Sequence, residues 1–375
     1  MAEALVRQQQ LVSLPKRPRH YDHDEDVNDI IVEILSRLPV KSLLRFRSVC
    51  KSWRALISDS YFVKKHLGHA VTDTSNRSRL LNLLYTSPRI VDLQGLEDHD
   101  HIRQRDAFED DILDRSRILG SCNGLICLQA TMFHGLYCDD IFLWNPSTRV
   151  AKKVPEHNFT KDSISIHGFG YDSTTDDYKL ILGARNKVAK KTKIAIFTVK
   201  TGSWRTVQDF EFVHYLNGQG CFVNGALHWL DSMYKSTRIV SFDLAEEKCD
   251  TLCRIEYGPM FRMGIGTIRN CLCYYTYSNI RSMPMTIWVM NEYGINKPWT
   301  KLMNIPTNII PYKISLRPKH VVENGEVLMI LDGKDFVKYN PKENKYRTVF
   351  QAPTILHSAA VVVYLDTLVS PEFGS

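Results

Sequence analysis

Residues 26–67, DVNDIIVEILSRLPVKSLLRFRSVCKSWRALISDSYFVKKHL, differ from the rest of the chain because their apolar residues recur at helical spacing. The pattern predicts three or four short helices, the first of which ends before Pro39. Roughly forty residues is near the lower limit for a self-sufficient core. Two interpretations follow: an ordinary helical subdomain packed on the remaining chain, or a docking module that completes its burial on another protein. The first predicted apolar stripe consists of Ile30, Ile34, Leu35 and Leu38.

The same stretch is strongly basic. Between residues 37 and 65 the only acidic residue is Asp59. Basic side chains interleaved with apolar anchors indicate an acidic partner surface, since complementary charge speeds association and disfavours wrong partners. Nucleic acid is the competing explanation, but the density of Leu, Ile and Trp favours a protein. The basic residues are Arg37, Lys41, Arg45, Arg47, Lys51, Arg54, Lys64 and Lys65.

The run VNDIIVEILSRLPVKSLLRFRSVCKSWRALISD, residues 27–59, resembles an F-box, the motif that binds the Skp-type adaptor of cullin–RING ubiquitin ligases. Residues 29–35, Leu38-Pro39 and residues 41–45 and 49–53 match the motif, whereas Asp26-Val27 stand where the family usually has Leu-Pro. The resemblance implies a hydrophobic contact with the adaptor. We expect that contact to involve Val27, Ile30, Ile31, Ile34, Leu35, Leu38, Pro39, Leu43, Leu44, Val49, Cys50 and Trp53.

Composition places the chain among soluble globular proteins. Its 375 residues are 44% hydrophobic and 24% charged, with a net charge of +7. No apolar run has the length of a membrane span, and the N-terminus lacks the apolar core of a signal peptide. The nine cysteines are scattered without a C-x-x-C pair, so we expect reduced thiols in a cytoplasmic and/or nuclear protein. Neither a nucleic acid nor a membrane is an expected partner.

From residue 117 onward the sequence changes to short apolar runs separated by Gly, Asn, Asp and Pro, which is typical of β structure. A turn followed by an apolar strand recurs roughly every fifty residues. Units of this size stacked around an axis predict a kelch-like β-propeller, and a large β-sandwich is the alternative. The final strand, at residues 358–365, is expected to pair with an early strand at residues 80–85 and so close the ring. The repeated turns begin at Asn123, Asp177, Asn224, Asn270 and Asn324.

Five segments of this β region resemble, in order, the F-box-associated domain of plant F-box proteins. The segments start at Ser121, Trp144, Gly168, Val223 and Ile239. The predicted fold is therefore multi-domain, α+β in class: a small all-α F-box unit followed by an all-β domain. The predicted divisions are a disordered basic tail (1–22), the F-box (23–67), a linker with a possible ring-closing strand (68–115), the F-box-associated β domain (116–369) and a tail (370–375).

No catalytic constellation, cofactor motif or metal-ligand spacing is recognisable in the sequence. Gly168-Phe169-Gly170 lacks the lysine and the further glycine of a phosphate-binding loop. We therefore expect a non-catalytic substrate receptor of an SCF-type (Skp–cullin–F-box) ubiquitin ligase, with no cofactor and no metal. The receptor would bind the Skp-type adaptor, and through it cullin and the RING subunit, as well as a target protein. The alternatives are a propeller-type sensor of a small molecule or glycan and an F-box scaffold acting outside ubiquitination.

Overall fold

The computed structural model describes residues 23–72, 78–83, 89–92, 104–106, 116–130, 132–133, 136–137, 139–159, 164–186, 191–210, 216, 218–233, 236–256, 261–278, 280, 283–294, 299–308, 316–322, 324–331, 335–350 and 360–372. The predicted tail at residues 1–22 lies outside this part of the chain. Four helices come first, followed by strands throughout. The helices are α1 (His23–Ser36), α2 (Val40–Phe46), α3 (Lys51–Ser58) and α4 (Ser60–Thr72).

The strands follow the helices in chain order. They are β1 (Ser78–Leu83), β2 (Arg89–Asp92), β3 (Gln104–Asp106), β4 (Ser116–Cys122), β5 (Leu125–Ala130), β6 (Met132–Phe133), β7 (Leu136–Tyr137), β8 (Ile141–Asn145), β9 (Val150–Lys153), β10 (Ile164–Asp172), β11 (Asp177–Asn186), β12 (Lys191–Thr198), β13 (Ser203–Phe210), β14 (Gly218–Gln219), β15 (Cys221–Val223), β16 (Ala226–Met233), β17 (Ser236–Asp243), β18 (Cys249–Glu256), β19 (Phe261–Ile268), β20 (Cys271–Ser278), β21 (Met285–Met290), β22 (Trp299–Ile305), β23 (Leu316–Val321), β24 (Val327–Leu331), β25 (Asp335–Asn340), β26 (Lys345–Phe350) and β27 (Ala360–Leu365).

Within the described residues these strands form six sheets of four or five strands and one small two-stranded ribbon, β6–β7. The six sheets are the blades of a propeller. Their inner strands, β4, β10, β15, β19, β23 and β27, contact one another in that order, and β27 contacts β4 to complete the cycle. This closed ring confirms the predicted propeller and excludes the sandwich, in which two sheets face each other without a cycle.

The ring is closed by the two ends of the β region. β27 pairs antiparallel with β1, with Leu80 opposite Val363 and Leu83 opposite Ala360. One blade therefore has the strand order β27-β1-β2-β3 and combines the last strand with the first three. The pairing of an early with a final strand is thus present in the structure, and residues 68–115, predicted as a linker, supply three strands of this blade.

The repeated turns connect the first and second strands of successive blades. Asn123 and Asn224 both have φ 51°, and Asn270 has φ 59°. This left-handed backbone is strained for most residues but tolerated by asparagine and glycine. The fifth repeat uses Gly325, with φ 89°, at the corresponding turn. The sequence repeat therefore records one backbone requirement that recurs in the five blades whose first two strands are joined by a turn.

The two ends of the propeller have different neighbours. The four main strands of each blade are antiparallel to their neighbours, and β14 adds a short fifth strand to the β10 blade. The chain therefore returns to the same end after every blade, and all six inner strands run in one direction. They finish at the end that carries the turns at Asn123 and Asp176, where the helices pack. We call this the helix-side end, and the end at which the inner strands begin the distal end.

A buried ion-pair network ties two blades together. Lys179 on β11 is 3% exposed, and its Nζ lies 2.8 Å from Oδ2 of Asp172 and 3.0 Å from Oε1 of Glu247. The same ammonium donates to the carbonyl oxygen of Leu244 at 2.6 Å. Since Glu247 and Leu244 follow β17 in the next blade, one lysine side chain bridges both sheets with its three donors satisfied.

Candidate protein-binding surface

Helix α1 has apolar residues on two faces. Val32 and Leu35 are each only 4% exposed, whereas Ile30 and Ile34 are 60% and 57% exposed. The predicted single stripe of Ile30, Ile34, Leu35 and Leu38 is therefore wrong. Leu35 belongs to the inward face with Val32, and the two isoleucines, one helical turn apart, form a separate outward face. That outward face is what α1 offers to a partner.

The four helices share one small core. Leu35 and Leu43, both predicted to contact the adaptor, belong to this core, and Leu43 is fully buried. Both side chains pack the helices against one another, and their contact with the adaptor stays a prediction. The buried members are Val32, Leu35, Val40, Leu43, Ile57, Phe62 and Leu368.

A second apolar protrusion lies at the corner between α2 and α3. Val49 is 66% exposed, the largest exposure among the described large hydrophobic residues, and Pro39 and Cys50 are exposed as well. Beside it is an open pocket of about 580 Å³. The basic residues of this region are evident from the sequence, but their position around one pocket with Leu44 is evident only from the structure. The pocket is lined by Leu44, Arg47, Ser48, Cys50, Lys51 and Arg54.

The remaining predicted contact residues are half-buried. Trp53 packs edge-on against Phe46, with ring centroids 5.2 Å apart, and its backbone N–H donates to Sγ of Cys50 at the start of α3. Such residues support the helical core and still present part of their surface. The side chain of Val27 lies outside the described residues. The half-buried group consists of Ile31, Leu38, Leu44 and Trp53.

Three of the eight basic residues are neutralised within the chain. Glu33 accepts from Arg37 at 2.5 Å and lies 2.6 Å from Nζ of Lys65, and these hydrogen bonds lower the pKa of its carboxyl to about 2. Lys64 pairs with Asp176 of the propeller at 2.5 Å. The other five form no ion pair with any described residue, so their charge is available to a partner. These are Lys41, Arg45, Arg47, Lys51 and Arg54.

The helices are packed firmly on the helix-side end of the propeller. Leu67 of α4 is part of the core of the β4 and β10 blades, and Leu368, which follows β27, is part of the helical core. The amide of Asn145 donates to the carbonyl oxygens of Thr367 and Val369 at 3.0 and 2.7 Å, which fixes the segment after β27 against the β8–β9 turn. The candidate protein-binding surface is therefore fixed relative to the propeller.

Among the described residues there is no group of three or more His, Cys, Asp or Glu side chains that could hold a metal ion. Burial raises the pKa of the thiols of Cys122, Cys127 and Cys273 well above the usual range, so these thiols stay protonated and unreactive. No helix in the described part of the chain is long and apolar enough to span a membrane.

Comparison with known proteins assigns families to both parts. Residues 27–65 match the F-box domain, and residues 88–370 match the F-box associated beta propeller domain. The Arabidopsis thaliana F-box/kelch-repeat protein At3g23880 is 28% identical over 377 residues, covering 92% of this chain and 95% of that protein. F-box protein CPR1 of the same plant is 27% identical over 361 residues, covering 86% and 83% of the two chains.

Proposed function

This chain belongs to the F-box proteins that carry an F-box-associated β-propeller domain, and we propose that it is the substrate-recognition subunit of an SCF-type ubiquitin ligase. In this role the helices bind a Skp-type adaptor, which connects the protein to cullin and the RING subunit. The propeller binds the target. The protein itself is expected to be non-catalytic and to act in the cytoplasm and/or nucleus, where its reduced thiols persist.

The observation that carries the proposal is that exposed aliphatic side chains of the helical unit lie beside cations with no ion-pair partner among the described residues. Ile30, Ile34 and Val49 expose more than half of their surface. Large apolar side chains of this exposure, rimmed by charge, are typical of protein interfaces. The cations beside Val49 favour an acidic adaptor surface and would accelerate association with it.

The rigid junction between the helices and the propeller supports the proposed mechanism. Because Leu67 and Leu368 lock the two parts together, a target bound to the propeller is held in a fixed orientation relative to the adaptor. Ubiquitin transfer takes place on other subunits. The contribution of this protein is to convert a bimolecular encounter into an effectively intramolecular one.

The test is a titration of the full chain with a purified Skp-type adaptor. Ile34→Ala should weaken binding by about 1–2 kcal/mol, or roughly tenfold, if Ile34 is an interface anchor. Val150→Ala is the matched control, because Val150 is the exposed aliphatic residue on β9 of the propeller, at 38% exposure. The association rate should also fall as salt concentration rises.

Equal affinities for wild type, Ile34→Ala and an Ile30→Ala/Val49→Ala double variant would rule out the docking surface. Co-purification with cullin and the RING subunit separates the ligase from a scaffold outside ubiquitination. A chain that binds the adaptor but never recruits cullin would have the scaffold function instead. Adaptor binding without any effect of salt would remove the electrostatic part of the proposal.

A further inference from the structure

Ser48 lines the open pocket beside Val49, which we call the basic pocket. The serine is exposed, and its hydroxyl forms no hydrogen bond with a described residue. It stands in the turn between α2 and α3, where its backbone N–H donates to the carbonyl oxygen of Arg45 at 3.0 Å. The hydroxyl is therefore open to chemical modification. The cations that share the pocket with it are Arg47, Lys51 and Arg54.

The sequence before Ser48 has the charge pattern that arginine-directed protein kinases select. Arg45 precedes the serine by three residues, and Arg47 stands directly before it. Kinases of this class bind such arginines through carboxylates of their substrate groove, because a guanidinium forms paired hydrogen bonds with a carboxylate. Neither arginine has an ion-pair partner among the described residues, so neither has to leave one to bind a kinase.

The fold separates Ser48 from the one other serine or threonine that has an arginine three residues before it, Ser241. Ser241 lies in β17, a strand that is paired on both sides, with β16 and with β18. Its arginine, Arg238, is held by Asp231, with Nε 2.6 Å from Oδ2. A kinase binds its substrate as an extended segment that is free of other strands. The structure therefore protects Ser241 and exposes Ser48.

Little structure has to open for a kinase to bind the segment around Ser48. Helix α2 has seven residues. Across the turn after it, the N–H groups of Ser48 and Val49 donate to Arg45 and Phe46, each at 3.0 Å. A helix this short has little stability of its own, and its fully buried anchor, Leu43, lies before this turn. The turn can therefore open while the helical core stays in place.

A phosphate on Ser48 would change the charge of the basic pocket. Phosphoserine carries about −1.5 to −2 charges at neutral pH, which offsets most of the charge of the three pocket cations. The single acidic residue between positions 37 and 65, Asp59, accepts from two backbone N–H groups at the start of α4. The phosphate would therefore find charge-assisted hydrogen-bond donors in the pocket and remove most of its positive charge.

We propose that Ser48 is a phosphorylation site for an arginine-directed serine/threonine kinase and that its phosphate switches off adaptor docking. The Ser48 hydroxyl oxygen forms a bond with the γ-phosphorus of ATP as the bond from that phosphorus to the β,γ-bridging oxygen breaks. ADP leaves, and the hydroxyl proton passes to the catalytic aspartate of the kinase and then to solvent. The inference rests on the proposed role of the helices in adaptor binding and adds the regulation of that surface.

Two physical effects oppose docking once the phosphate is present. An acidic adaptor surface meets a pocket that has lost most of its positive charge, which slows association. The phosphate also holds water next to Val49, which is 66% exposed, so that burying this side chain requires the desolvation of a charge. The coupling is reciprocal, because a bound adaptor covers Ser48 and protects it from the kinase.

The experiment phosphorylates the full chain and then titrates it with a purified Skp-type adaptor. The probe is calmodulin-dependent protein kinase with ATP, and peptide mass spectrometry locates the phosphate. Wild type, Ser48→Ala and Ser241→Ala are each measured before treatment, after treatment and again after a phosphatase. Each protein is compared with its own untreated state, so the effect of the substitution itself cancels.

We expect phosphate at Ser48 in the wild type and in Ser241→Ala, with an adaptor affinity about tenfold lower after treatment. The phosphatase should restore the affinity, and treatment should not alter the affinity of Ser48→Ala. Adaptor added before the kinase should prevent incorporation at Ser48. The salt dependence of the association rate should also weaken in the phosphorylated protein, a change that partial unfolding would not produce.

Two results would overturn the proposal: no phosphate at Ser48, or a phosphorylated wild type that binds the adaptor as tightly as the untreated protein. An equal loss of affinity in treated Ser48→Ala would also overturn it, because the effect would then come from another position. Equal melting temperatures before and after treatment exclude a general loss of stability.

The reactivity of Cys50 separates the phosphorylation site from the ligase role. Cys50 is exposed and lines the same pocket as Ser48. Its alkylation by anionic iodoacetate, relative to neutral iodoacetamide, should slow after phosphorylation, because the phosphate repels the anion. An untreated wild type that fails to bind the adaptor would refute the ligase role and with it the switch. Phosphate at Ser48 and slower alkylation of Cys50 would still establish the modified pocket.

Discussion

The helical unit and the propeller differ in how completely they bury their apolar residues. Of the five exposed large hydrophobic residues in the described part of the chain, three belong to the helical unit: Ile30, Ile34 and Val49. The much larger propeller contributes Val150 and Ile280, which are 38% and 40% exposed. A ring of blades covers each sheet with its neighbours, whereas four short helices have an outer surface that nothing in the chain covers. The helical unit is therefore the part of the described chain with the most exposed aliphatic surface, which the proposed adaptor would cover.

The largest expected effect comes from removing a buried charged side chain of the propeller. Lys179→Met should destabilise it by about 3–5 kcal/mol, because the buried Asp172 would be left without its partner. Urea unfolding followed by circular dichroism measures the loss. Lys200→Met is the matched control, since Lys200 is half-exposed and lies 3.5 Å from Asp176. Similar effects of the two changes would show that the buried network does not hold the blades together.

The second largest effect is expected when a core residue of the helical unit is replaced, in contrast to a surface residue. Leu43→Ala should cost about 2–5 kcal/mol, since it empties a fully buried position. Ile34→Ala should leave stability within about 0.5 kcal/mol, because the side chain is 57% exposed. Hydrogen exchange of the amides of α1 to α4 distinguishes the two variants. If Ile34→Ala loosened the helices as much as Leu43→Ala, the outward face would be part of the core.

Acid should weaken the propeller between pH 6.5 and about 4. Burial lowers the pKa of His167 and His228 from 6.5 to about 4. The unfolded chain therefore binds protons at a higher pH than the folded chain, and stability falls as pH drops through this window. One histidine accounts for at most about 3 kcal/mol. Melting temperature measured against pH gives the slope.

The variant His228→Gln tests the assignment. In the wild type Nδ1 donates to the carbonyl oxygen of Cys221 at 3.1 Å, and Nε2 accepts from the hydroxyl of Tyr293 at 2.6 Å. Glutamine offers a donor and an acceptor but does not titrate. The stability of the His228→Gln variant should therefore change less than that of the wild type across the same pH range. An unchanged slope would exclude His228 as a source of the acid sensitivity.

Much of the fold was predictable because each blade repeats one local requirement. Asn123, Asn224 and Asn270 stand at turns that need positive φ, so the repeat is visible in the sequence. The ring-closing pairing of β27 with β1 was also predictable, since an unpaired apolar strand remained at each end of the β region. Both inferences depend on local chemistry and on the need to satisfy edge strands.

The candidate site was less predictable, because tertiary contacts decide which apolar residues of the helices are buried and which are exposed. Spacing alone placed Ile34 and Leu35 in one apolar stripe. In the structure Leu35 faces the other helices, whereas Ile34 faces outward. Leu368 lies far along the chain, and no local pattern connects it with the helical core.

The position of Leu368 has a consequence for how the protein is made. The ribosome delivers residues 360–369 after every other blade has been synthesised, yet β27 closes the ring and Leu368 fills the helical core. Until residues 360–369 have been made, β1 (residues 78–83) has no β27 to pair with, and the helical core lacks Leu368. Nascent chains of this length are prone to premature association. Both units can therefore be completed only after residues 360–369 have been made, and a product truncated before them would lack part of the helical core as well as a closed ring.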